Sequence, residues 1–448
     1  MYNYQGNKFL GVSVILQKRP TWTSRYSFIL ATIGSAVGLG NIWRFPYIMG
    51  QNGGAIFLVV YILLIATICF IPLMAELYLG KVTKKECVGA FEYANPKFKL
   101  IGALNPFTGL LIASFYFVVG GWIINYICKN IVNFQANDYT QYFTSFIQGS
   151  FYPCFLTILF LFICIFFTAR GIKNGIEIAN KILMPIFAVI LVFLVIFSLT
   201  LPNAYLGLEY MFRPDFSKIN AHMILAALGQ AFFTLSVGMG ALLTYGSYID
   251  EDKNIAKSTY TIILSDTMFA LLAGIMIFPA VFSFGLEPNS GAGLVFVTLP
   301  QIFSQIPYGN IVAVAFFVLL FCAAVTSGIS ILEAPCATLI EKFKLSRIKA
   351  NVILFFIISL IAVPATLSFG LLSEFKICGK SIFDFLDFTT SNILLPLNTL
   401  FLCLIVGWVL KVKGNIFINN KCFAFLFDIG LKYVVPIVLI GLLYAGLH

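Results

Sequence analysis

The chain has 448 residues, of which 60% are hydrophobic and only 10% are Asp, Glu, Lys or Arg, with a mean hydropathy of +0.97. Soluble domains carry about 25% charged residues, so this composition excludes a water-facing globule and leaves lipid as the solvent. The formal charge of +10 would point to nucleic acid in a soluble protein, but here its placement reports membrane topology and no nucleic-acid partner is expected.

Taken in chain order, apolar stretches of about 20 residues predict an all-α, polytopic membrane protein with spans near 24–49, 56–79, 101–128, 153–170, 178–201, 222–248, 257–286, 309–343, 348–372, 382–410 and 422–446. No short apolar leader with a small-residue cleavage site precedes the first span, so a retained N-terminus is expected. The stretches 129–152 and 202–221 are polar and read as external loops. The segment 287–308, with Pro288, Gly291, Gly293, Pro300 and Pro307, reads as a long external loop with room for a short helix. In the last span Asp428 and Lys432 stand one turn apart and are expected to pair. Cysteines such as Cys69, Cys164, Cys322 and Cys403 fall in apolar runs without CxxC spacing and read as small hydrophobes.

Of the 28 Lys and Arg, all but Arg44, Lys129, Arg213, Lys218, Lys376, Lys380 and Lys432 fall on one side if the N-terminus is cytoplasmic. That bias orients membrane helices and, with an odd span count, sends His448 outside. The whole of 1–448 reads as one membrane domain.

Two spans carry similar interruptions. The first contains Gly34-Ser35-Ala36-Val37-Gly38-Leu39-Gly40-Asn41 and the sixth contains Thr234-Leu235-Ser236-Val237-Gly238-Met239-Gly240. Small residues also let membrane helices pack closely, and for either span alone that reading suffices. Recurrence five spans apart instead predicts an inverted repeat of helices 1–5 (19–201) and 6–10 (222–410), with helix 11 (422–446) peripheral and a binding site between the two breaks. An unwound helix in hydrocarbon exposes peptide groups that cost several kcal/mol each unless a polar partner meets them. Bare carbonyls suit a small hard cation, and free N–H groups at a half-helix N-terminus suit a carboxylate, so sodium plus an amino acid fits.

Charges inside the spans are costly and few. Arg44 and Asp387 lie toward the outer side, where they read either as an outer gate or as a static pair fixing helix packing. Asp266 is the carboxylate placed to meet a cation, or else a protonated acid hydrogen-bonded within the bundle. Glu76 and Glu333 read as braces for unwound backbone. In the eighth span Ala323-Ala324-Val325-Thr326-Ser327-Gly328 offers two hydroxyls, which either bond back to their own helix or join carbonyls in a cage for sodium, a hard ion that accepts neutral oxygens.

The run GSAVGLGNIWRFP (Gly34–Pro46), together with GQAFFTLSVGMG (Gly229–Gly240), TSG (Thr326–Gly328) and FLDF (Phe385–Phe388), resembles the neurotransmitter:sodium symporter family of bacterial and animal amino-acid transporters; the likeness extends from Arg19 over almost the whole chain. The resemblance implies two sodium sites. One would use the carbonyl of Ala36, Asn41, Thr234, a helix-seven group that is Asp266 or the preceding Ser265, and the carboxylate of the substrate. The other would use carbonyls of Gly34, Val37 and Ala323 with the hydroxyls of Thr326 and Ser327. It implies a carboxylate clamp of the Leu39 and Gly40 amides with the Tyr116 hydroxyl, and an ammonium site of the Ala36, Phe233 and Thr234 carbonyls with Ser236. Pocket walls of Ile112, Phe233, Met239, Ser327 and Ile331 imply a neutral, hydrophobic or aromatic L-amino acid.

By the same resemblance Arg44, Asp387 and Gln230 form the outer gate. Arg19, Trp22, Tyr248 and Glu341 form the inner one, with Glu341 where relatives carry Asp. Chloride-dependent relatives place Ser where this chain has Ala270, so chloride is not expected to be required. By the resemblance a twelfth helix, which many relatives carry, is not expected, and a monomer or weak homo-oligomer in a bacterial cytoplasmic membrane is expected. An ion channel or receptor built on the same polar groups needs a continuous pore, and an intramembrane enzyme finds no HExxH or GxSxG here.

Overall fold

The computed structural model describes residues 20–133, 135–249, 254–286, 293–414 and 421–447. Arg19, Pro288, Gly291 and His448 lie outside the described residues. The described residues are helical throughout, with a single isolated bridge, Ile377 to Lys380, outside the helices. In chain order the helices are α1 (Arg25–Ala36), α2 (Gly40–Gln51), α3 (Ala55–Thr83), α4 (Cys87–Ala94), α5 (Pro96–Ile131), α6 (Tyr139–Gln148), α7 (Phe151–Ala169), α8 (Ile172–Leu199) and α9 (Ala204–Phe212). They continue with α10 (Ala221–Thr234), α11 (Ala241–Ser247), α12 (Ile255–Ser283), α13 (Leu294–Ser304), α14 (Gly309–Phe343), α15 (Arg347–Leu367), α16 (Ile382–Val409) and α17 (Lys421–Gly446).

Among the described residues nine helices are long and apolar enough to cross a membrane, ten if α1 and α2, bent by 44° at their junction, count as one. The span predicted over 222–248 is divided into α10 and α11, of 14 and 7 residues, and neither is long enough alone. Polar residues mark where chain leaves helix: the side chains of Ser24, Asn220, Asn254, Ser346 and Ser381 each accept a first-turn backbone N–H, the substitute for the missing intrahelical acceptor. The stretches predicted as loops hold short helices of their own, α6, α9 and α13.

The core is one continuous apolar cluster around α5 and α14. α1 packs on α14, α8 and α12, so the first break sits among buried side chains. In α17 the expected Asp428–Lys432 pair is absent among the described residues: Asp428 accepts the Gly414 N–H at 2.6 Å instead, and a backbone donor does not require a long lysine side chain to be ordered.

Candidate functional site

The two breaks face each other but differ in their physics. At the first, α1 stops at Ala36 and α2 begins at Gly40, yet neither Gly38 nor Gly40 has positive φ. Glycine is needed there for close approach, since a Cβ at Gly38 would lie 2.4 Å from Ser327 Oγ. At the second, the chain between Thr234 and Ala241 turns left-handed at Ser236, Gly238 and Gly240, with φ of 55°, 86° and 79°, a region glycine enters without a Cβ penalty.

The breaks touch directly. Ser236 Oγ donates to the Ser35 carbonyl at 3.1 Å, and Gln230 Nε2 donates to the Gly40 carbonyl at 2.8 Å. The second break is held from outside by two polar side chains. Glu76 Oε2 accepts the Gly238 N–H at 3.1 Å while its Oε1 accepts the Leu243 N–H at 3.3 Å. Asn398 Nδ2 donates to the Gly238 carbonyl at 2.7 Å and to Thr108 Oγ1 at 2.9 Å. The Gly238 N–H and carbonyl and the Leu243 N–H, bared deep in an apolar bundle, are thereby satisfied.

Three helices meet at Asp266 of α12, which is fully buried. Its Oδ1 accepts from Asn41 Nδ2 at 2.8 Å and from Thr234 Oγ1 at 3.0 Å, and its Oδ2 accepts from Tyr61 OH at 3.3 Å. Asn41 Oδ1 accepts the Gly38 N–H at 3.2 Å. Asn41, Thr234 and Asp266 are thus brought together as one oxygen-rich cluster beside the first break; among the described residues Ser265 makes no hydrogen bond to this cluster.

A second oxygen cluster lies between α1 and α14. Ser327 Oγ donates to the carbonyls of Gly34 at 3.2 Å and Ser35 at 3.4 Å, and Thr326 Oγ1 bonds back to the carbonyls of Cys322 at 3.0 Å and Ala323 at 3.1 Å. Ala36, Val37, Leu39, Ile112, Met239 and Ile331 are all buried and Phe233 is half-buried. The Tyr116 hydroxyl, with Ser327 and the Leu39 backbone as polar neighbours, is buried without a hydrogen bond of its own. Such an orphan in a dry site points to a missing acceptor.

The ends differ. At the Trp22 end, Trp22 Nε1 donates to the Tyr245 carbonyl at 3.0 Å and its N–H to the Tyr248 carbonyl at 3.2 Å, while Tyr248 OH donates to Glu333 Oε1 at 2.8 Å. Glu333 also pairs with Arg347, and Glu341 accepts the Glu86 N–H at 3.3 Å. Trp22, Tyr245 and Tyr248 are all buried at this end.

At the other end, the expected Arg44–Asp387 pair is not formed. Arg44 lies over the Phe233 ring, 4.3 Å from its centroid, and Asp387 Oδ1 accepts from Ser391 Oγ at 3.0 Å. The face of the ring attracts the guanidinium. A cavity of about 350 Å³ reaches Phe233 from this side, lined by Arg44, Tyr47, His222, Ser391 and Leu442 among others.

Tyr61 and Asn398 were not singled out from the sequence. Each is a lone polar group in an apolar or turn-forming stretch, and its target is distant in the chain.

The sodium:neurotransmitter symporter family model matches residues 19–142 and 147–447. The chain belongs to that family. This symporter is 35% identical over 438 residues to YhdH, an uncharacterised sodium-dependent transporter of Bacillus subtilis (strain 168), covering 95% of this chain and 97% of that one. It is 34% identical to an uncharacterised sodium-dependent transporter of Haemophilus influenzae, with 96% and 99% covered. The crystal structure of MhsT in complex with L-phenylalanine superposes with a TM-score of 0.88 at 43% identity, covering 96% of this chain and all of that one. The protein is therefore a multi-pass membrane transporter of a sodium-dependent family, with a small-molecule substrate, and such symporters are not enzymes.

Proposed function

We propose that the protein couples an inward sodium gradient to uptake of a neutral, hydrophobic or aromatic L-amino acid by alternating access. The observation that carries this reading is the Asp266 cluster: a buried carboxylate shared by Asn41 next to one break and Thr234 at the edge of the other. A cation beside Asp266 would be neutralised there, and the amino-acid carboxylate entering next to it would share the ion, so that each ligand strengthens the other.

In this reading one sodium sits among the Ala36 carbonyl, Asn41, Thr234 and Asp266. A second sits among the carbonyls of Gly34, Val37 and Ala323 with Thr326 and Ser327. The amino acid lies between the breaks, its carboxylate at the Leu39 and Gly40 amides and the Tyr116 hydroxyl, its ammonium at the Ala36, Phe233 and Thr234 carbonyls and Ser236. Its side chain faces Ile112, Phe233, Met239, Ser327 and Ile331. These walls offer no charge to an ionised side chain, whose burial would be costly, and the relative MhsT, whose structure contains L-phenylalanine, supports the class. Asp266 supplies the negative charge, so chloride is not needed.

The chain forms a single domain with eleven spans. Helices 1–5 (19–201) and 6–10 (222–410) form an inverted repeat, and helix 11 (422–446) lies outside it. It sits in the bacterial cytoplasmic membrane as a monomer or weak homo-oligomer, with its N-terminus inside and its C-terminus outside. The buried Trp22 end and the cavity at Arg44 then correspond to an outward-facing state. Arg44, Gln230 and Asp387 close the outer side when substrate is bound, and Arg19, Trp22, Tyr248 and Glu341 close the inner side.

A competition panel tests the substrate class. Purified protein saturated with sodium and labelled L-phenylalanine should lose label to neutral apolar amino acids and keep it against Glu, Asp, Lys and Arg. Displacement by the charged set at comparable concentrations would contradict the pocket.

A further inference from the structure

A buried amide in α8 adds an unpartnered acceptor to the oxygen cluster between α1 and α14. Asn180 is buried, and its Nδ2 donates to the Ile176 carbonyl of its own helix at 2.9 Å. That bond fixes the amide: the reversed orientation would set its oxygen against the Ile176 oxygen. Oδ1 therefore points away from its helix, toward α1, and makes no hydrogen bond among the described residues.

Its position is set by Gly34. A Cβ at Gly34 would lie 2.2 Å from Asn180 Oδ1 and 3.2 Å from Thr326 Cβ, so the amide oxygen and the Thr326 side chain both lie beside Gly34. The two hydroxyls that α14 brings to this cluster have their protons committed elsewhere. Thr326 Oγ1 donates to the carbonyls of Cys322 and Ala323, and Ser327 Oγ donates to those of Gly34 and Ser35. A desolvated acceptor among acceptors costs free energy that no hydrogen bond here repays, and a hard cation is the partner such a set suits.

We propose that Asn180 Oδ1 is a further oxygen of the second sodium site, supplied by α8 beside Gly34. This rests on the reading of Gly34, Val37, Ala323, Thr326 and Ser327 as that site. It also gives Gly34 a second reason to be glycine: a methyl group there would displace the ligand. Occupancy of the ion would tie α8 to α1 and α14, three helices that already pack together.

The test is a sodium titration of purified full-length protein, read by binding of radioactive sodium and by labelled L-phenylalanine bound as sodium is raised. Asn180→Leu, close in size and without the oxygen, is expected to raise the half-saturating sodium concentration about tenfold, the effect of one lost contact to a charge, with phenylalanine affinity at saturating sodium unchanged. Asn180→Asp, which keeps an oxygen in place, is expected to bind sodium at least as tightly as the parent.

Thr326→Ala separates the two layers of the argument. If it weakens sodium binding while Asn180→Leu does not, the proposal fails and the site stands; if neither weakens it, the site itself is wrong. Equal weakening in Asn180→Leu and Asn180→Asp would make Asn180 a packing residue and overturn the proposal. Should the leucine variant not fold, the aspartate variant still decides, because sodium binding weaker than the parent's contradicts an oxygen ligand.

Discussion

Removing one oxygen from Glu76 tests how the second break is held open. Glu76 accepts the Gly238 N–H at 3.1 Å and the Leu243 N–H at 3.3 Å, both wholly buried. In Glu76→Gln one accepted N–H survives on the amide oxygen, while the amide nitrogen faces the other N–H, donor against donor. Losing one charge-assisted bond costs roughly 1.5–3 kcal/mol. Taking about 2 kcal/mol, and assigning it to the open-break geometry that binds substrate, the apparent affinity should fall by about thirtyfold. Glu76→Ala leaves both N–H groups bare and should fall further or fail to fold. The assay is equilibrium binding of labelled L-phenylalanine at saturating sodium, with monodispersity on gel filtration confirming fold. Wild-type affinity in both variants would show that the break is not held by this carboxylate.

Gly238→Ala should abolish binding, since φ is 86° and the added Cβ would lie 2.6 Å from both the Leu395 carbonyl and Thr399 Oγ1; a transport assay showing more than half the parent rate would refute this. Replacing chloride by gluconate should leave uptake unchanged, and chloride-stimulated uptake would contradict the role given to Asp266. Tyr248→Phe removes the 2.8 Å bond to Glu333, worth roughly 1 kcal/mol, and should weaken closure at the Trp22 end about fivefold, seen as faster thiol labelling of a cysteine introduced beside Trp22; unchanged labelling would mean that the seal rests on packing alone.

Much of this architecture can be read from the chain because lipid imposes simple rules: length and hydropathy place the spans, and Gly-x-Gly runs among polar residues place both breaks. The sequence does not distinguish them, however. Gly238 and Gly240 are required by backbone torsion, whereas Gly34 and Gly38 are required by the approach of Asn180 and Ser327, a property of residues far away in the chain. Arg44 follows the same logic. Its charge within a span is evident, but its place over the Phe233 ring rather than beside Asp387 depends on how α2, α10 and α16 meet. Tyr61 and Asn398 escape notice because a lone tyrosine or asparagine in a span carries no spacing signal; only their partners, Asp266 and the bare Gly238 carbonyl, give them meaning.

The most direct test is uptake into proteoliposomes of labelled L-phenylalanine, with and without an inward sodium gradient, for the parent, Thr326→Ala and Asp266→Asn. Gradient-driven accumulation in the parent, lost in both variants, is the expected result. Accumulation that ignores the sodium gradient, or persists undiminished in both variants, would contradict ion-coupled transport through these two oxygen clusters.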